Sequence, residues 1–215
     1  MTSGALSPTF RDNRIKYLAL GDSYTAGTGA SSSSRGWPAI IAGRLTQETG
    51  RKVKVTNPAV GGFTTLDLIA KELSQVRRAK PDLITILIGV NDLVQGRSAN
   101  DYRASLETIH DEVATQKPPE GKVFAISLPN WSVVPAARQF GDPEEIRDLT
   151  DTFNDIAREE AEKRDFKWID ITAASLSGLG SPGWIASDGL HPADTQYAAW
   201  AEVIWYGMRE SPLPR

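Results

Sequence analysis

Two short stretches near opposite ends of the chain carry the residue types of a nucleophile and its base. Ser23 stands in GDSYTAG, and His191 stands in SDGLHP, three residues after Asp188. Serine is a poor nucleophile at its free pKa and needs an adjacent base. Histidine suits that task because its pKa lies near neutrality. A carboxylate such as Asp188 on the far ring nitrogen would fix the tautomer of the histidine. The three residue types indicate acyl-transfer chemistry.

Two further stretches offer hydrogen-bond donors for a developing negative charge. Gly61 and Gly62 stand in NPAVGGFTT, and Asn91 stands in GVND. An oxyanion on an ester carbonyl needs fixed donors, each worth about 10²–10³ in rate. A glycine lets its backbone N–H approach a substrate closely. The side chain of Asn91 supplies another N–H, and the backbone of Ser23 could supply a third.

Other interpretations of these residues remain open at the level of single motifs. Gly, Asp and Ser are also ordinary turn residues, and Asp188 could instead cap the last helix. The same loops could cradle a phosphate or cofactor in a binding module without catalysis. GDSYTAGTG, however, lacks the GK[ST] of a P-loop and the spacing of GxGxxG. A third alternative keeps the triad but acts as a carbohydrate acetylesterase, an acyltransferase or a thioesterase.

The elements that must position these residues alternate along the chain. Apolar or alternating runs predict five strands, at residues 15–20, 52–57, 82–88, 122–128 and 167–171. Helical patterns cover residues 37–49, a segment from Thr64 or Thr65 to Pro81, and residues 100–116, 142–164 and 193–208. Such alternation is typical of a parallel sheet covered on both faces. The candidate residues follow strands 1, 2, 3 and 5, so the carboxyl ends of the strands would bring them together. The segments at residues 21–36 and 89–96 are predicted to be loops.

The four motifs, taken together and in order, resemble those of the GDSL esterases and lipases of the SGNH hydrolase superfamily. The resemblance extends from Gly21 to Pro192. It implies an α/β fold, a three-layer α/β/α sandwich whose five-stranded parallel sheet has the flavodoxin-like order 2-1-3-4-5. It also implies serine-dependent hydrolysis of a small-molecule carboxylic ester through an acyl-enzyme, with Ser23 as nucleophile, His191 as general base and Asp188 as its orienting carboxylate.

The same resemblance assigns the oxyanion hole to Ser23, Gly62 and Asn91. Gly62 is preferred to Gly61 because its distance from Asn57 matches the family's spacing. Three aromatic residues in the loops are predicted as possible walls of the substrate pocket: Phe63, Trp131 and Trp184. The motifs leave open whether the ester is a lipid, an aryl ester, an acetylated sugar or a thioester.

Composition excludes several other classes of function. The 215 residues carry a formal net charge of -3, which predicts no nucleic-acid partner and no polybasic membrane patch. The chain has no cysteine, which excludes disulfides, and its two histidines are far apart in sequence. We therefore expect no metal and no cofactor. No apolar run reaches the roughly 18 residues of a membrane span, so stable membrane insertion is not expected.

The N-terminal residues bear on the domain bounds and on the location of the protein. Residues 1–13 are small and polar and are predicted to be a flexible arm, with residues 14–215 forming a single hydrolase domain. The first residues contain no apolar h-region, so a cytoplasmic location is expected. The sequence makes no prediction of the oligomeric state.

Overall fold

The computed structural model describes residues 13–116, 122–211 and 214. Nearly all of the predicted N-terminal arm therefore lies outside the described residues. The strands form one parallel sheet in the order β2-β1-β3-β4-β5, which confirms the predicted order. They are β1 (Ile15–Gly21), β2 (Val53–Thr56), β3 (Leu83–Leu87), β4 (Lys122–Ile126) and β5 (Lys167–Ile169).

The helices cover both faces of the sheet in two layers. In chain order they are α1 (Ser23–Ala26), α2 (Trp37–Thr49), α3 (Thr65–Asp67), a π-helical segment (Leu68–Glu72), α4 (Leu73–Ala79), α5 (Val90–Val94), α6 (Ala99–Gln116), a 3₁₀ turn (Ala137–Gln139), α7 (Pro143–Glu162), α8 (Thr172–Leu176) and α9 (Asp194–Arg209). In one layer α2 packs on α9, and in the other α6 packs on α4 and α7. None of the helices in the described ranges is long and apolar enough to cross a membrane.

Burial explains the character of each strand. The side chains of β3 are all buried, as a central parallel strand requires, and its sequence is the continuous apolar run LITIL. β2 lies at the edge, is partly exposed and alternates valine with polar residues.

β5 ends two residues earlier than predicted. Oδ1 of Asp170 accepts hydrogen bonds from the backbone N–H and the hydroxyl of Thr172, at 2.7 and 2.6 Å, and so forms a turn.

Two segments predicted to be loops contain short helices, so those predictions were wrong. α1 and α5 have four and five residues, too few for an apolar period to be visible in the sequence. Both follow central strands directly, so both place site residues in a helical turn at the carboxyl edge of the sheet. The sequence left Thr64 and Thr65 as alternative starts of the second long helix. Thr64 is the N-cap of α3 and forms a capping box with Asp67.

Candidate active site

Ser23 is the first residue of α1, directly after β1. The side chain of Asp22 accepts a hydrogen bond from the N–H of Tyr24 at 3.0 Å and caps the turn. Gly27 ends the turn in the left-handed conformation, with φ of 82°, and its N–H donates to the carbonyl of Ser23. Ser23 is only 7% exposed. A strand followed at once by a capped helical turn therefore holds the serine at the edge of the sheet.

Buried carboxylates join the loops around the serine. Asp92 in α5 accepts hydrogen bonds from the N–H and the hydroxyl of Thr65, at 2.8 and 2.5 Å, and from the Arg97 guanidinium at 2.9 Å. It thereby ties the GVND loop to the start of α3. Burial raises the pKa of Asp92 despite these hydrogen bonds. Burial also raises the pKa of Asp22, to about 7, and the nearby Asp92 adds to that shift.

The candidate base and its carboxylate lie in one tight turn before α9. Nδ1 of His191 is 2.6 Å from Oδ2 of Asp188. Oδ1 of Asp188 accepts hydrogen bonds from the N–H groups of Leu190 and His191, both at 2.9 Å. Desolvation opposes the ionisation of Asp188, but these hydrogen bonds outweigh it and hold its pKa below the usual range. With the Nδ1 proton directed at the carboxylate, Nε2 is left as the basic nitrogen.

Asp188 does not cap the last helix, which was the structural alternative for this residue. The N-cap of α9 is Ala193, which makes no side-chain hydrogen bond to the helix. The carboxylate of Asp188 is used within its own turn instead.

A cavity of about 60 Å³ lies where these elements meet. Its lining includes Ser23, Asn91, His191 and Trp131, so the structure brings together four of the residues singled out in the sequence. The other lining residues, which sequence reasoning missed, are Tyr24, Val90, Val94, Phe140 and Leu190. Val90 and Leu190 could have been found, because they stand next to Asn91 and His191 in the motifs. The ring of Tyr24 also meets the His191 ring edge-on, with 6.1 Å between centroids.

Two of the possible oxyanion donors, Asn91 and Gly61, lie near Ser23. Nδ2 of Asn91 donates one hydrogen bond to the carbonyl of Phe63 at 2.9 Å, and this leaves its second N–H for another acceptor. A Cβ placed on Gly61 would lie 3.8 Å from the Cβ of Ser23. Gly62 has a left-handed φ of 85° and open space on its Cβ side. Gly61 thus lies against the serine, and the choice of Gly62 as donor stays a prediction.

Phe63 and Trp184 do not line this cavity. The Phe63 ring lies beneath the ammonium of Lys71, 4.5 Å from its centroid. Trp184 is 4% exposed, and its indole N–H donates to the carbonyl of Ser175 at 3.1 Å. That buried hydrogen bond turns the ring toward α8, which a position in a loop could not reveal. Within the described part of the chain, no cluster of three or more His, Cys, Asp or Glu side chains is arranged to hold a metal ion.

Comparison with known proteins agrees with this geometry. The model of the GDSL-like lipase/acylhydrolase family matches residues 19–199. The chain belongs to this family. Esterase TesA of Pseudomonas aeruginosa is 26% identical over 192 residues, covering 87% of this chain and 85% of that protein. An arylesterase of Vibrio mimicus is 27% identical, covering 88% of this chain and 86% of its own length.

Solved structures agree in fold. A crystal structure of TesA superimposes with a TM-score of 0.72 at 22% identity, covering 91% of this chain and 98% of its own. An acetyl xylan esterase from Geobacillus stearothermophilus superimposes with a TM-score of 0.71 at 22% identity, covering 94% and 97%. The predicted family, the three-layer fold and the assignment to ester hydrolysis are therefore confirmed. This GDSL-family chain is a carboxylic ester hydrolase.

Proposed function

We propose that this GDSL-family hydrolase cleaves esters of short acyl chains, with Ser23 as nucleophile, His191 as general base and Asp188 as its orienting carboxylate. The observation that carries the proposal is the common cavity. Ser23, Asn91 and His191 line the same small space. Asp188, which stands outside it, holds Nδ1 of the histidine. A nucleophile, a base and an oxyanion donor thus share one site.

The chemistry follows from these positions. Oγ of Ser23 attacks the ester carbonyl while Nε2 of His191 takes its proton, and the imidazolium is stabilised by Asp188. The oxyanion is held by the second N–H of Asn91, the N–H of Ser23 and a glycine N–H from the loop after β2. When the tetrahedral intermediate collapses, the C–O bond to the alcohol breaks and His191 returns the proton to it. Water then attacks the acyl-enzyme, His191 takes its proton, and the acid departs as Ser23 recovers its hydroxyl.

The size and character of the cavity support a short acyl group. About 60 Å³ has room for a few waters, since one buried water needs about 10–15 Å³ of such space. Its walls are mostly apolar, with Val90, Val94 and Leu190 beside Trp131 and Phe140. We therefore place the acyl chain, of about two to four carbons, in this space. One relative is named an acetylxylan esterase, which agrees with a small acyl group.

The nucleophile is tested by Ser23→Ala with p-nitrophenyl acetate as substrate. We expect kcat to fall by about 10⁴–10⁶, as for other serine triads. Ser34→Ala, an exposed serine in the following loop, is the matched control and should retain wild-type turnover. A fluorophosphonate should label the wild type once, at Ser23. A Ser23→Ala variant that keeps more than about a tenth of the activity would exclude the assignment. A wild type that is neither labelled nor active would instead support the binding module.

The acyl preference is tested with p-nitrophenyl esters from acetate to decanoate. We expect kcat/KM to be highest at two to four carbons and about tenfold lower at decanoate, because the longer chain cannot enter the cavity. Phe140→Ala should widen the cavity and move the optimum to longer chains. Matched acetyl esters of an aryl alcohol and of a xylooligosaccharide would then identify the alcohol. An unchanged rate from acetate to decanoate would contradict the proposed acyl pocket.

A further inference from the structure

A fully buried glutamate contacts the backbone just before the nucleophile. Glu72 is 0% exposed, and its Oε2 accepts a hydrogen bond from the N–H of Gly21 at 3.1 Å, across 51 residues of sequence. Gly21 is the last residue of β1 and stands two residues before Ser23. Glu72 ends the π-helical segment, a rare conformation that occurs frequently at functional sites. A hydrogen bond between residues distant in sequence therefore joins the π-helical segment to residues Gly21–Thr25, which we call the nucleophile turn.

The charges that act on the pKa of Glu72 are those of other carboxylates. Asp22 and Asp67 both disfavour its ionisation, and no cation among the described residues favours it. Burial, the largest cause, together with these neighbours raises the pKa of Glu72 to about 8. The Glu72 carboxyl is therefore largely neutral near pH 7. An apolar residue would be less costly to bury at this position if packing were its only role.

Other buried polar atoms gather around the same turn. Oδ2 of Asp22, Oγ1 of Thr25 and Oε1 of Glu72 are buried without a hydrogen-bond partner among the described residues. Oγ1 of Thr25 lies 2.3 Å from the position that a Cβ on Gly21 would occupy. Most buried polar atoms are hydrogen-bonded, so three unpaired oxygens around one turn call for an explanation.

We propose that Glu72 is a positioning residue, which fixes the nucleophile turn by accepting the Gly21 N–H. Gly21 has φ of 156°, a region that favours glycine, so the chain at this point has little conformational restraint of its own. Glu72 restrains the turn before Ser23. After it, Nδ2 of Asn57 restrains the turn by donating to the carbonyl of Thr25 at 2.7 Å. The serine, with its Oγ and its N–H, is held between these two hydrogen bonds. This inference rests on the proposed role of Ser23.

Three variants of Glu72 and one control test the proposal. Glu72→Gln keeps an oxygen acceptor within reach of Gly21 N–H. Glu72→Asp keeps the carboxyl but shortens its reach, and Glu72→Leu removes the acceptor. Glu160→Gln is the control, because Glu160 is also 0% exposed but is bound by Arg103 on α6 and by Lys163 and Arg164 just after the end of α7. We would measure kcat and KM on p-nitrophenyl acetate, with active serines counted by fluorophosphonate labelling and the folded fraction by circular dichroism.

The expected results separate positioning from stability. Glu72→Leu should lower kcat per folded molecule by about 10²-fold, and Glu72→Asp by about tenfold, because a shift of about 1 Å at a reacting group has such effects. KM should change by less than about threefold, since the acyl pocket is intact. Glu72→Gln should keep kcat within about threefold of wild type. Glu160→Gln should lower stability but leave kcat per folded molecule unchanged.

Several outcomes would overturn the proposal. It fails if Glu72→Leu or Glu72→Asp keeps wild-type kcat per folded molecule, or if Glu72→Gln falls as far as Glu72→Asp. Should Glu72→Leu not fold, the comparison of the aspartate and glutamine variants decides. The proposed function fails separately, if fluorophosphonate labels the wild type at a residue other than Ser23. A wild type labelled at Ser23, with Glu72 variants of unchanged kcat, would refute this inference alone.

Discussion

The nucleophile turn, Gly21–Thr25, and the base turn, Asp188–His191, supply the same reaction but are held in different ways. The nucleophile turn is buried and is restrained by partners distant in sequence, Glu72 before the serine and Asn57 after it. The base turn is more exposed, with 45% of the Asp188 side chain accessible, and its hydrogen bonds lie within four residues. The position of the serine thus depends on the whole fold, and that of the histidine mainly on its own turn.

The two turns also differ in electrostatics. Burial raises the pKa values of Asp22, in the nucleophile turn, and of Glu72, which is bound to that turn. No cation among the described residues opposes these shifts. In the base turn, hydrogen bonds from Leu190 and His191 overcome a smaller degree of burial and lower the pKa of Asp188. A carboxylate that must stay ionised beside a histidine is thus kept near solvent. Asp22 and Glu72 instead accept hydrogen bonds from backbone N–H groups in the protein interior.

The largest effect that tests this comparison is expected for Asp188→Asn. The amide would favour the wrong histidine tautomer, so we expect kcat to fall by about 10⁴. Because the turn is local and exposed, the free energy of unfolding should change by less than about 1 kcal/mol. Asp194→Asn is the control, since Asp194 is a nearby acid whose side-chain partners among the described residues are Ser31 and Arg35. A kcat within about tenfold of wild type for Asp188→Asn would show that the base turn does not work as described.

A large loss of stability is expected from Gly21→Ala in the nucleophile turn. The new Cβ would lie 2.3 Å from both the Leu87 carbonyl oxygen and Oγ1 of Thr25, at a φ of 156°. We expect the free energy of unfolding to fall by about 3 kcal/mol or more. Gly43→Ala is the matched control in α2, where the new Cβ would meet no described atom within 4 Å apart from the neighbouring backbone of its own helix. It should gain about 0.5–1 kcal/mol from helix propensity.

Urea denaturation of the two alanine variants measures both effects. If Gly21→Ala unfolds at the wild-type urea concentration, the nucleophile turn is not as tightly enclosed as the structure indicates.

The smallest expected effect is on the pH dependence of stability. The folded pKa of Glu72, about 8, lies above its ordinary value of 4.5. Its favourable contribution is thus complete below about pH 4.5 and is lost as pH rises through 8. Asp188 has the opposite sign, because its pKa is lowered from 3.8: its contribution is present above that value and is lost in acid. Glu72→Gln should therefore flatten the decline in unfolding free energy from about pH 5 to 8.

Urea denaturation from about pH 3 to 9 provides the measurement. Asp188→Asn should alter only the acid side of the profile. If wild type and Glu72→Gln decline in parallel toward pH 8, Glu72 does not enter the folded state as a neutral acid.

Sequence reasoning succeeded where a residue type and a short spacing carry the information. Asp188 and His191 are three residues apart, and the structure joins them in one turn. The alternation of apolar runs predicted a parallel sheet covered on both faces, and the resemblance to the family implied the strand order that the structure has. α1 and α5 were missed because helices of four and five residues show no period. Trp184 was misplaced because a loop position does not indicate which buried carbonyl its indole will meet.

The sequence by itself determined the family, the layers of the fold and the residue types available for catalysis, because these depend on local patterns and on motif order. Only the tertiary structure decided that Glu72 is buried and accepts a hydrogen bond from Gly21, two residues before Ser23. An acid in a helical pattern resembles a surface residue until the packing of that helix is known. The tertiary structure also decided that Phe140 and Val94 share one small cavity with Ser23. Such contacts join distant parts of the chain, and no spacing along the sequence specifies which side chains the folded sheet brings together.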